Sequence, residues 1–194
     1  FVSGGAPLSQ EIAEFFAAAD ITILEGYGLS ETSPVLTVNS PDHLRFGTVG
    51  KPLKTVEVKI ALDGEILVKG PNIMLGYYNN PEATDEVLDD NGWFATGDIG
   101  EIDSDGFLKI TDRKKNLLVT SGGKNIAPAP MECSLINSMY IEQAILIGDR
   151  RNFVSALLVP NFEFIGSYLD SHEITVTDPE AVVEHPMVVS LIDK

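Results

Sequence analysis

Cysteine is nearly absent from this chain of 194 residues: Cys133 stands alone. No internal disulfide can form, and a reducing compartment is the natural setting. The neighbours of Cys133 include no histidine, so a small half-buried residue is expected there rather than a nucleophile. Histidine is scarce as well, and His43, His172 and His185 are scattered without metal-ligand spacing. No apolar run reaches the ~18 residues that a bilayer-spanning helix needs. No basic leader precedes Phe1-Val2-Ser3-Gly4-Gly5, which reads as the middle of a motif, and further residues are expected before it. Positive charge is the last scarcity: 13 basic side chains face 29 acidic ones, a formal net charge of -16. Such a field repels phosphate backbones and anionic lipid, which argues against nucleic acid as a partner. It still allows ATP, which a nest of backbone amides and one or two cations can hold.

What is present suits a globular protein. The hydrophobic fraction is 44%, and the length is enough to enclose a core. Leu8, Ile12, Phe15 and Phe16 recur at helical spacing, and Ile21 to Leu24 reads as a buried strand running into a glycine-rich loop, Glu25-Gly26-Tyr27-Gly28. From about Arg45 the period changes to two. Val56, Val58, Ile60 and Leu62 alternate with polar residues, Asp63-Gly64 turns the chain, and Ile66 and Val68 resume the alternation. Ile99 to Ile102, Asp103-Ser104-Asp105-Gly106 and Phe107 to Ile110 repeat the design. The tail mixes strands near 117–119, 143–148 and 153–159 with helices near 129–138 and around Phe162, Ile165 and Leu169. Asp178-Pro179 caps and opens a last helix. The expected architecture is mixed α/β and α+β. Residues 1–44 are the end of a large α/β subdomain, 45–111 a small antiparallel β-barrel, and 112–194 a small α+β domain.

Several segments carry groups suited to chemistry. In Tyr27-Gly28-Leu29-Ser30-Glu31-Thr32 the glycines permit close approach of a ligand, a hydroxyl can donate to phosphate, a carboxylate can hold magnesium and a phenol ring can stack on a base. The same residues also suit a helix start with Ser30 as cap. In Trp93-Phe94-Ala95-Thr96-Gly97-Asp98 the final carboxylate can grip two ribose hydroxyls. Arg113 offers a rigid fork for ribose or phosphate, whereas Lys114 reads as part of a solvated charge run. Ser121-Gly122-Gly123-Lys124-Asn125 lacks the spacing of a P-loop, which excludes that class of NTPase. Asp103-Ser104-Asp105-Gly106 lacks the later glutamate of an EF-hand and reads as a polar hairpin tip.

Order and spacing add what no single segment provides. Ser3 to Leu8, Glu25 to Thr32, Gly64 to Gly70 with Gly76-Tyr77-Tyr78, Gly92 to Asp98, and Asp112-Arg113-Lys114-Lys115 to Lys124-Asn125 closely resemble the ordered motifs of the adenylate-forming superfamily. That superfamily holds acyl-CoA synthetases, luciferases and peptide-synthetase adenylation domains. The tail, Gln143 to Asp149 and Ser155 to Asn161, is most similar to its long-chain fatty acyl branch.

The resemblance implies an AMP-forming fatty acid–CoA ligase with ATP, magnesium and coenzyme A as reactants and aids. It places Gly4, Gly5 and Ala6 along the adenine, Tyr27 stacked on it, Gly28 and Ser30 at phosphate and Glu31 on magnesium. It gives Asp98 and Arg113 to the ribose. It makes Lys115 the hinge of a C-terminal lid, and it puts Gly122, Gly123 and Lys124 in a loop on the thiol path. The family's phosphate loop is expected before Phe1 and its catalytic lysine beyond Lys194, which lacks the surrounding pattern, so these residues alone are expected to be inactive. Fatty acid, ATP and coenzyme A are the expected partners in a cytoplasmic setting, with peripheral membrane contact and oligomeric state left open. Two other readings stay open: an adenylation domain for an amino or aryl acid with a carrier-protein acceptor, and a non-catalytic nucleotide-binding module.

Overall fold

The computed structural model describes residues 1–176 and 178–193. The chain divides into two compact units, Phe1–Asn116 and Leu117–Lys194. The division falls a few residues beyond the Asp112 boundary expected from sequence.

The first unit holds two sheets. Strands β1 (Val2–Ser3), β2 (Leu24–Gly28), β3 (Val35–Val38) and β4 (Lys51–Pro52) line up in chain order. β1 and β2 are parallel, joined over helix α1 (Gln10–Ala18), and the other pairs are antiparallel. Ser9 caps α1, its hydroxyl accepting from the Ile12 N–H. The expected helix forms, but Ile12, Phe15 and Phe16 stay 46%, 70% and 37% exposed, and Ala13 is its buried residue. The strand expected at 21–24 instead begins at Leu24. Glu25-Gly26-Tyr27-Gly28, expected as a loop, is most of β2. Gly28 there serves close strand packing. At Gly28 an added Cβ would sit 1.6 Å from the Pro34 carbonyl oxygen, so no side chain fits.

The second sheet is an antiparallel meander of β5 (Glu57–Ile60), β6 (Glu65–Lys69), β7 (Phe94–Ile102) and β8 (Leu108–Arg113), with helix α2 (Pro81–Val87) between β6 and β7. Register slips between β6 and β7 and again between β7 and β8 curl it into a half-barrel. Both expected hairpins are here. Leu62, however, belongs to the turn and is fully exposed, so the alternation stops at Ile60. At the second hairpin tip Asp103 accepts from the N–H groups of Asp105 and Phe107, both at 2.9 Å. Arg45 bonds Asp103 and, at 2.6 Å, Asp105, with its guanidinium 4.5 Å from the Phe107 ring centroid. A cation of the chain itself thus occupies the acidic tip.

The two sheets share one core. Tyr27 and Leu36 from the first pack with Val56, Ile66, Val68, Phe94 and Leu108 of the second region. Backbone bonds from Val49 to Leu108 and from Leu108 to Gly50, each 2.9 Å, join them further. Residues 1–44 and 45–111 therefore fold as one body.

The second unit is α+β. β9 (Leu118–Val119) and β10 (Asn125–Ile126) form a small hairpin, and β11 (Ile141–Ile147) pairs with β12 (Ser155–Pro160). Helices α3 (Pro128–Ile136), α4 (Phe162–Asp170), α5 (Pro179–Glu184) and α6 (Pro186–Ile192) complete it. Ile165, Leu169, Val182 and Val188 form its core. Asp178 caps α5 through the Ala181 N–H at 3.0 Å. The single last helix expected is two, because a residue before proline is driven from helical to extended backbone; His185, before Pro186, has ψ 128° and ends α5 while capping α6.

Leu108→Ala is expected to cost about 2–5 kcal/mol in a denaturant titration of the whole chain, since it opens a cavity at a fully buried site. Leu62→Ala should leave the midpoint unchanged within error. Comparable losses for both would contradict the core assigned here.

Candidate active site

Three stretches converge in the first unit. The end of β2 leads into a tight 3-10 turn, Ser30–Thr32. The loop after β6 is tied onto that turn: the Met74 N–H donates to the Glu31 carbonyl at 2.8 Å, the Asn72 amide to the Thr32 carbonyl at 2.7 Å, and the Tyr77 hydroxyl to Glu31 Oε1 at 3.0 Å. The third stretch is the bulge in β7. Thr96, Gly97 and Asp98 lie between Ala95 and Ile99, which pair with Leu67 and Glu65, so three residues bulge opposite Ile66. A cleft of about 570 Å³ opens between these pieces, walled by Gly28, Ser30, Glu31, Glu65, Thr96 and Arg113 among others.

Asp98 lies behind this wall, 4% exposed. A buried carboxylate needs partners, and it has them on both oxygens. The Tyr27 hydroxyl donates to Oδ2 at 2.6 Å, and Arg113 Nε lies 3.3 Å from Oδ1. Burial, and then the adjacent Asp98 carboxylate, push the Tyr27 phenol well above its ordinary range, so it stays a donor at any working pH. Arg113 is 56% exposed along its side chain, whereas Tyr27 is buried.

Of the expected site residues, the structure brings Gly28, Ser30, Glu31 and Arg113 into the cleft wall, with Asp98 beneath. Ser30 is exposed and Glu31 half-buried. Tyr27 has a different setting from the one expected. Its ring is 8% exposed inside the core cluster, it forms no part of the wall, and its hydroxyl bonds Asp98. Gly4, Gly5 and Ala6 are exposed beyond the end of β1 and are also outside the wall. Lys115 lies in the last turn of the first unit and lines a smaller hollow with Thr96, Gly97, Arg113 and Lys114. Gly122, Gly123 and Lys124 belong to the second unit, in the turn between β9 and β10, where the Thr120 N–H donates to the Lys124 carbonyl at 3.0 Å. Lys194 is outside the described residues.

Other wall residues carried no role in the sequence reading: Tyr77, Glu65, Glu86 and Lys114. Lys114 is exposed, as expected, but it is paired. Its ammonium lies 2.7 Å from both Asp63 and Glu65. No cluster of three metal-ligating side chains occurs among the described residues, and no helix there is long and apolar enough to cross a membrane.

Residues 1–78 match the AMP-binding enzyme family and residues 115–185 match the AMP-binding enzyme C-terminal domain. The chain belongs to this adenylate-forming family. Over 191 residues it is 44% identical to a long-chain-fatty-acid–CoA ligase, FadD15, of Mycobacterium bovis, an alignment that covers 94% of this chain and 32% of that protein. The chain thus spans about a third of the length of that relative. Among solved structures, the O-succinylbenzoate coenzyme A synthetase MenE of Bacillus subtilis in complex with AMP is similar with a TM-score of 0.73 and 31% identity, over 90% of this chain and 39% of that one. The same synthetase in complex with ATP and magnesium ion matches with a TM-score of 0.73 and 31% identity, over 92% of this chain and 38% of that one.

The ion pair predicts a pH signature. The Asp63 and Glu65 carboxylates raise the Lys114 pKa, and Lys114 lowers that of Asp63. The lysine's share is therefore present below its unfolded value of about 10.4 and is lost as pH rises through the higher folded value, while the share of Asp63 is present above about 3.9 and is lost as pH falls through the lower folded one. Lys114→Met should lower the thermal midpoint between about pH 4 and 10, with the gap to wild type closing at both extremes. A pH-independent gap would contradict an electrostatic origin.

Proposed function

We propose that this chain is the nucleotide-handling part of an AMP-forming acyl-CoA synthetase acting on long-chain fatty acids. One observation carries the reading: Asp98, buried and bonded by Tyr27, meets Arg113, which lines a cleft together with Ser30 and Glu31. These residues are far apart in sequence and share no structural need to gather around a hollow. The family membership and the fatty acid–CoA ligase relative support the same chemistry and the fatty acid as substrate.

In the proposed first half-reaction a carboxylate oxygen of the acid attacks the α-phosphorus of ATP, the bond from that phosphorus to the bridging oxygen breaks, and pyrophosphate leaves. The Ser30 hydroxyl and the backbone around Gly28 donate to phosphoryl oxygens. Asp98 accepts from the ribose hydroxyls once the exposed Arg113 side chain moves aside to share the sugar. Gly4 to Ala6 border the adenine. Glu31 fits a magnesium site, since that ion takes one or two carboxylates and fills its remaining positions with water and substrate phosphates. Bound there, the ion would neutralise charge on the departing pyrophosphate. In the second half-reaction the sulfur of coenzyme A attacks the acyl carbon, the thiol proton is released and AMP leaves. Lys115, one residue before the end of the first unit, is the proposed hinge between the two steps, with Gly122 to Lys124 turned toward the thiol in the second.

Two measurements on the complete protein test this. Acid-dependent pyrophosphate release across fatty, aryl and amino acids should be highest with long-chain fatty acids; a preference for amino or aryl acids would move the substrate assignment. Asp98→Ala should weaken AMP binding about tenfold or more, with Asp98→Asn as a shape-preserving control. Unchanged affinity in both variants would remove the ground for the nucleotide reading.

A further inference from the structure

Glu65 has no place in the mechanism above, yet it is a carboxylate only 9% exposed. Burying it is costly unless both oxygens are matched. They are: Oε1 accepts from the Gly97 N–H at 3.0 Å, and Oε2 accepts from Lys114 at 2.7 Å. Asp63 already pairs that ammonium from a half-exposed position at 2.7 Å. Charge pairing alone would not need a second, buried carboxylate.

The partner that distinguishes Glu65 is Gly97. It sits at φ +72°, a conformation side chains avoid, at the centre of the β7 bulge that carries Asp98. The next amide, that of Asp98, donates to the Thr96 hydroxyl at 3.1 Å, and that hydroxyl donates to the Ile66 carbonyl at 2.8 Å. The bulge is thus held from β6 by one carboxylate and one carbonyl. Lys114, on the other oxygen of Glu65, is the residue after Arg113.

We propose that Glu65 is a positioning residue for the nucleotide site. By holding the Gly97 N–H it sets the direction in which the Asp98 side chain leaves β7, and by holding Lys114 it anchors the Arg113 end of β8 to the same point. The claim rests on the reading of Asp98 as a nucleotide-binding group.

A double-mutant cycle on the complete protein, read as AMP affinity by calorimetric titration, tests it. Glu65→Ala should weaken AMP about tenfold, while in an Asp98→Ala background the same change should add less than about twofold, because the two act through one contact. The KM for the fatty acid should stay within about twofold of wild type, which a general loss of packing would not spare. Lys114→Met, at the exposed end of the network, should weaken AMP about threefold, again only when Asp98 is present; it decides the matter if Glu65→Ala does not fold. Equal losses with and without Asp98, or no loss in either variant, would overturn the proposal while leaving the nucleotide reading intact, provided Asp98→Ala alone still weakens AMP. If Asp98→Ala is silent, both fall together.

Discussion

A single 2.6 Å bond, from the Tyr27 hydroxyl to the Asp98 carboxylate, joins the first sheet to the second across 71 residues of sequence. Both partners are buried. In that setting a phenol without an acceptor, or a carboxylate without a donor, carries the desolvation cost of its lost water uncompensated. The two sheets are therefore held in one relative register by groups that cannot be satisfied separately. The shared apolar core supplies the bulk of the attraction, but apolar contacts are non-directional. This polar contact, with the backbone bonds between Leu108 and the Val49–Gly50 segment, directs how the end of β2 faces the bulge of β7, and with it the shape of the cleft.

The surroundings follow from that constraint. With β2 and β7 fixed, the turn at Ser30–Thr32 and the end of β8 contribute to one cleft wall. The loop after β6 closes over the turn through Asn72, Met74 and Tyr77. Asn72 and Met74 use backbone carbonyls of the tight turn, and Tyr77 uses the Glu31 side-chain carboxylate. The cleft is thus a by-product of strand ends and a bulge, which is where sheets leave groups free for ligands.

Much of this was legible beforehand, and the misses have physical causes. Period-two patterning located both hairpins because alternate strand residues face the core, yet it ran two residues past the strand end to Leu62, where a turn rather than a strand holds an apolar side chain in solvent. Glycines at 26 and 28 suggested a loop; tertiary packing made them a strand, and at Gly28 the close approach of Pro34 leaves no room for a side chain. The motif order pointed to Ser30, Glu31, Asp98 and Arg113, and these do gather. Glu65, Lys114 and Tyr77 carried no local signal for their roles, because a charge or a phenol in a strand or loop acquires its meaning from a partner tens of residues away. The burial of Tyr27 was likewise invisible to a motif, which records residue type and not which way a ring faces.

The acidity of the chain has a consequence for kinetics. Five of its 13 basic side chains are engaged at short range: Arg45 and Lys51 on the Phe107 ring, Lys59 on Trp93, Arg113 on Asp98, Lys114 on two carboxylates. From a distance, the net field of this chain is repulsive to any polyanion. Whatever hold the cleft has on such a molecule arises only after contact, so it is expressed in how slowly the visitor departs and not in how fast it arrives.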